Sequence, residues 1–116
     1  MKLIEKEKVF TRIASINDLK KGTGKTVRFK GKEIAIFRLE DDRVKAIENR
    51  CPHKGGVLAE GIVSGEYVFC PLHDYKIDLS KGRVQAPDRG CVKTYEVRVQ
   101  DEQIYLLMPH PNELVG

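Results

Sequence analysis

Residues 69–78 read FCPLHDYKID, and the reading of this stretch decides the fold. Tyr67–Cys70 and Tyr75–Leu79 have the aromatic and β-branched character of short strands and flank a loop that carries the letters CPLH. Proline fixes its own φ and pushes the residue before it towards extended backbone. Pro71 therefore stiffens a loop that holds a thiol, Cys70, and an imidazole, His73, three positions apart. An earlier stretch repeats the device: residues 51–53 read CPH, with Pro52 directly after Cys51. Gly55 and Gly56 follow and let that loop bend back with little side-chain obstruction.

Outward from these loops the chain continues as short strands. Val9–Ala14 is the first, and Ser15 is placed to cap one helical turn after it. Thr26–Lys30 and Glu33–Leu39 follow, with Gly31-Lys32 as a tight connection, and Asp41-Asp42 turns the chain into Arg43–Glu48. Ser80-Lys81-Gly82 makes a turn after the second loop. Lys93–Gln100 alternates, with Tyr95, Val97 and Val99 on one face and Thr94, Glu96, Arg98 and Gln100 on the other. Asp101-Glu102 then turns it into Gln103–Leu107. Strands of this length and spacing predict an all-β sandwich or barrel. The tail PHPNELVG reads as a surface extension, and His110 within it as a surface residue.

A chain of 116 residues is expected to form a single domain spanning 1–116 and to bury a core without disulfides. The three cysteines, Cys51, Cys70 and Cys91, cannot close a disulfide framework. No apolar run approaches the roughly 18–20 residues of a membrane span. MKLIEKEKVF alternates charges where a signal peptide would need an apolar segment. The expectation is a cytoplasmic protein with no membrane association, its thiols kept reduced.

The net charge of +4 is unevenly spread. Its densest part is KKGTGKTVRFKGK at 20–32, with six basic residues and no acidic one. The plain reading is a solvated lysine-rich surface; the sharper one is a docking face for an acidic partner. Nucleic acid is not expected, because the stretch holds one aromatic, Phe29, and no binding motif. GTGKT at 22–26 imitates a phosphate-binding loop. That pattern needs a glycine where Leu19 stands and a helix where VRFKGKEIAIF reads as strand.

The ligand pattern is thus Cys51-x-His53, sixteen residues, then Cys70-x-x-His73. Structural zinc sites commonly pair like ligands within one loop, whereas here each loop supplies one of each. That division suits a two-iron cluster in which one iron takes both thiolates and the other both imidazoles. With two ferric ions, two sulfides and two thiolates the group is neutral, whereas four thiolates would leave it at −2. A neutral group is easier to reduce, which places the potential in a range of roughly −150 to +300 mV. The outer imidazole nitrogens can exchange protons as the electron arrives. A zinc-stapled structural or interaction module is the alternative from another class.

CPHKGG together with FCPLHDYKID resembles the Rieske [2Fe–2S] motif. The resemblance implies that Cys51 and Cys70 bind one iron and His53 and His73 the other. It implies a Rieske-type fold of three stacked antiparallel sheets with two cluster-binding loops at one tip. It also implies a third, proline-containing loop over the cluster, for which QAPDRG with Pro87 is placed. Membrane respiratory members carry an extra cysteine pair, where this chain has Gly55 and Leu72. They also carry hydroxyl donors at positions that here are Tyr75 and Ile77. Fewer donors imply the lower part of the potential range, and Tyr75 is expected to pack.

The longer run to GCVKTYEVRV is similar to the small subunit of assimilatory NAD(P)H-dependent nitrite reductase. That resemblance implies a one-electron carrier partnered by a large flavoprotein bearing sirohaem, the assembly reducing nitrite to ammonium. Nitrite and the nicotinamide would bind the large subunit, and no activity is expected of this chain alone, which has no catalytic residue of its own. A free Rieske ferredoxin serving an aromatic-ring dioxygenase, or another redox partner, shares the same ligands. Cys91, by parity with Tyr95 and Val97, is expected to be a buried thiol.

Overall fold

The computed structural model describes residues 8–52, 56–72 and 75–109. Nine strands are present among them: β1 (Lys8–Ser15), β2 (Thr23–Phe29), β3 (Lys32–Arg38), β4 (Val44–Glu48), β5 (Ile62–Ser64), β6 (Tyr67–Phe69), β7 (Lys76–Asp78), β8 (Thr94–Gln100) and β9 (Gln103–Pro109). All pair antiparallel. They form three three-stranded units, β1–β9–β8, β2–β3–β4 and β5–β6–β7. The first two are joined where β4 meets β8 through Ala46↔Tyr95 and Ile47↔Thr94. The three expected sheets are therefore present, two of them fused along a short seam.

Turn chemistry sets the registers. Phe29 pairs with Lys32, so the β2–β3 turn is Lys30-Gly31, with φ of 52° and 80°. It lies one residue earlier than the expected Gly31-Lys32, because two positive φ values suit a two-residue turn matched to strand twist. Asp101-Glu102 makes the same kind of turn between β8 and β9. Ser15 caps a 3₁₀ turn, Ile16–Asp18, in a reciprocal capping box with Asp18; the helical turn is there, in its tighter form. The GTGKT stretch lies largely in β2, and the chain runs on from it as strand.

β3 lies between the two cores. Ile34, Ala35, Ile36 and Phe37 are all fully buried, because successive side chains on a strand point to opposite faces and both faces are covered. Ile34 and Ile36 enter a core with Ala46, Ile104 and Leu106. Ala35 and Phe37 enter a second core with Ile47, Leu58, Val68, Ile77, Cys51 and Cys70. The cysteine-bearing loops therefore rest on a core shared between β3–β4 and the β5–β6–β7 sheet.

A further sequence expectation is corrected. Cys91 is exposed, not buried. β8 begins at Thr94, and ahead of it Val92 turns inward to 8 % exposure, its N–H bonded to the Gly82 carbonyl at 2.8 Å. The parity carried back from Tyr95 is lost at that break. Val99, near the far end of the same strand, is 40 % exposed while Tyr95 and Val97 pack against the first core. The 3₁₀ turn Leu58–Glu60 and strand β5 escaped the sequence reading altogether. The PHPNELVG tail lies outside the described residues beyond Pro109.

Candidate metal centre at the loop tip

Both cysteine loops close by the same hydrogen bond. The Cys51 N–H donates to the Gly56 carbonyl, and the Cys70 N–H donates to the Tyr75 carbonyl, each at 2.8 Å. In both, the cysteine caps its own loop five residues on, with proline at the second position. The two thiols are 2 % and 1 % exposed and belong to one core. Sequence reasoning placed them in neighbouring loops; the structure brings those loops together. His53 and His73 lie outside the described residues.

The approach between the loops is close. A Cβ added at Gly56 would fall 2.9 Å from Cys70 Sγ and 3.1 Å from Leu72 Cγ, so only glycine leaves the room that the second loop occupies. Tyr75 is half-buried and packs against the same core. Burial pushes its phenol above the usual tyrosine range, with Asp88 and the Cys51 thiolate adding to the shift. The expectation that Tyr75 packs is met.

The proline loop lies beside the first cysteine loop. Its Ala86–Pro87 peptide is cis, and the Val84 N–H closes its base on the Gly90 carbonyl at 2.9 Å. A Cβ on Gly90 would come 3.0 Å from Pro52 Cγ. Gly56 with Cys70 and Leu72, and Pro52 with Gly90, thus bring the described parts of three loops together at one end of the molecule.

One residue that fixes this end was missed in the sequence. Asn49, 5 % exposed, accepts from the Ala59 N–H at 2.8 Å and donates from Nδ2 to Thr26 Oγ1 at 2.9 Å. Its backbone N–H donates to the Glu33 carbonyl at 3.1 Å. It ties β2, β3 and the Leu58–Glu60 turn together two residues before Cys51. A lone asparagine gives no sequence signal of this; only the neighbours brought by the fold do. For β5 a signal existed, since Gly65-Glu66 between two apolar runs is a hairpin pattern.

Two buried thiols in adjoining stiffened loops, with a glycine cradle between them, fit the sulfur half of a two-iron, two-thiolate, two-imidazole group. No helix among the described residues is long and apolar enough to cross a membrane.

The family model described as a Rieske-like [2Fe–2S] domain matches residues 9–107. The 4β-methylsterol monooxygenase of Methylococcus capsulatus is 37 % identical in an alignment of 98 residues that covers 75 % of this chain but only 26 % of that protein. The ferredoxin component of the naphthalene 1,2-dioxygenase/salicylate 5-hydroxylase systems of a Ralstonia species is 30 % identical, over 82 % of this chain and 91 % of its own. A Mycobacterium tuberculosis structure described as an NADH-dependent nitrite reductase small subunit superposes with a TM-score of 0.82. It is 28 % identical, over 90 % of this chain and 98 % of that one.

Proposed function

Since the chain belongs to the Rieske-like [2Fe–2S] domain family, we propose that its cluster is held by Cys51, His53, Cys70 and His73, and that it serves as the small electron-transfer subunit of an NAD(P)H-dependent nitrite reductase. The observation that carries the ligand assignment is the pair of buried thiols in loops closed by the same bond. When bound, the cluster accepts and releases one electron at a time.

The residues of this chain prepare the site for that task. Pro52 and Pro71 restrict each loop directly after its cysteine. The closing bonds to Gly56 and Tyr75 hold each loop's ends together, so little reorganisation is needed on charge change. The apolar packing of Leu58, Val68 and Ile77 under the thiols keeps water from that side. As cluster ligands, the imidazoles of His53 and His73 would exchange protons as the electron arrives.

The nitrite reductase reading is supported by the GCVKTYEV segment and by the near-complete superposition on the M. tuberculosis protein. A second reading, a free ferredoxin for an aromatic-ring oxygenase, is favoured by the identity with the Ralstonia ferredoxin over most of both chains. Affinity purification of the tagged chain from its native host separates them. Stable co-purification of a large flavoprotein with sirohaem absorbance supports the first. A chain that elutes alone yet supports turnover of an oxygenase contradicts it.

A further inference from the structure

The β2–β3 turn, the end of β4 and the segment leading into β8 all lie at the end of the molecule that carries the cysteine loops. Asn49 N–H reaches the Glu33 carbonyl there, and Glu48 N–H reaches the Lys93 carbonyl at 2.9 Å. Between these segments is a half-open cleft of about 330 Å³, lined among others by Lys32, Arg50, Lys93 and Tyr95.

Two carboxylates also line the cleft, and both are engaged. Glu33 Oε2 is 2.6 Å from Arg28 Nη2, and Glu48 Oε1 accepts from the Lys93 backbone N–H at 3.2 Å. The three cations are exposed, and among the described residues none of them forms an ion pair. Arg50 directly precedes Cys51. Meanwhile the basic run at 20–32 does not form one face. Lys21 pairs with Asp42 and Arg28 with Glu33, and Lys20 lies towards the other end, where Gly22 bonds to Arg38. The cleft takes Lys32 from the end of that run and joins it to Arg50 and Lys93 from two later places in the chain.

We propose that this cleft seats a carboxylate-bearing surface of the redox partner protein, drawing it in beside the Cys51 loop. The inference rests on the electron-transfer reading above. Arg28 neutralises Glu33, so Lys32, Arg50 and Lys93 outnumber Glu48. A concave site with such an excess of positive charge raises the local concentration of an oppositely charged partner and the rate of its productive encounter.

The test uses the cluster-loaded protein and small redox probes. The reduced protein is mixed by stopped flow with ferricyanide, which takes one electron and becomes ferrocyanide, or with cationic hexaammineruthenium(III), which takes one electron likewise. The variant K32E/R50E/K93E is compared with K20E/K45E/K81E, which changes the same charge away from the tip. At low salt the tip variant should slow the ferricyanide reaction by about tenfold and quicken the ruthenium one, the differences fading at high salt. The control should shift both rates much less. A glutamate-rich peptide should slow the wild-type ferricyanide reaction more than inorganic phosphate does at equal ionic strength.

Equal effects of the two triple variants, or equal inhibition by peptide and phosphate, would overturn the docking assignment. If the triple variant does not fold, the single variant Arg50→Gln must still slow the ferricyanide reaction. A wild-type protein with no EPR signal on reduction would fail at the earlier step and take the docking cleft with it.

Discussion

The two cysteine loops use one device and end differently. Each has proline after the thiol and a cysteine N–H bonded five residues on. The first ends in Gly56, whose missing side chain is the space against which Cys70 and Leu72 pack. The second ends in Tyr75, whose half-buried ring packs against the core. Two stiff loops that must bring their thiols side by side cannot both carry bulk at the closing position. One yields volume and the other supplies it, so an equal sequence pattern does not imply equal tolerance to substitution.

Removal of either thiol tests the equal part of this comparison and should have the largest effect. Cys51→Ala and Cys70→Ala are each expected to abolish the iron content and the EPR signal. Cys91→Ser, at an exposed position, should leave both intact and shift stability by less than about 0.5 kcal/mol. A loss from one loop alone would break the symmetry.

Gly56→Ala tests the unequal part. The added methyl must displace Cys70 Sγ or Leu72, and overpacking of this kind costs about 1–3 kcal/mol. The urea midpoint should fall and iron per chain should drop, where an alanine at an open loop position would do neither.

Asn49→Ala sharpens the comparison further, because the clamp serves only the first loop. It leaves the buried Ala59 N–H without its acceptor, at a cost of about 1–3 kcal/mol. Hydrogen exchange should accelerate at Ala59 and Cys51, and less at Cys70.

The smallest effect belongs to the opposite end. Arg43 Nη2 lies 2.8 Å from Glu66 Oε2 and joins the β3–β4 turn to the β5–β6 turn. The Arg43 hydrogen bond, then Ser80, holds the Glu66 carboxyl below the usual range. A folded-state pKa below the unfolded one contributes stability that is present above the unfolded value of about 4.3 and lost as pH falls through the folded one. Denaturation across acid pH should show a slightly shallower fall for Glu66→Gln than for the wild type. The pair is exposed, so the difference is small.

The sequence disclosed the loops because proline and glycine act locally, and the strand alternation because burial on one face repeats every two residues. It was silent where the cause is distant. Asn49 is a clamp only because β2 and the Leu58–Glu60 turn arrive beside it. Cys91 faces outward only because the chain breaks step at Val92 to bond Gly82. The basic cleft takes only Lys32 from the conspicuous run at 20–32 and depends on its meeting Arg50 and Lys93 across two strand junctions, while Lys21 and Arg28 of that run pair with Asp42 and Glu33.

The central claim is the mixed ligand set, and low-temperature EPR of the anaerobically purified, dithionite-reduced protein tests it most directly, with iron and zinc quantified on the same sample. A rhombic signal with an average g below that of all-thiolate clusters, and two irons per chain, is the expected result. An EPR-silent protein with one zinc and no iron per chain, also after cluster reconstitution, would contradict it.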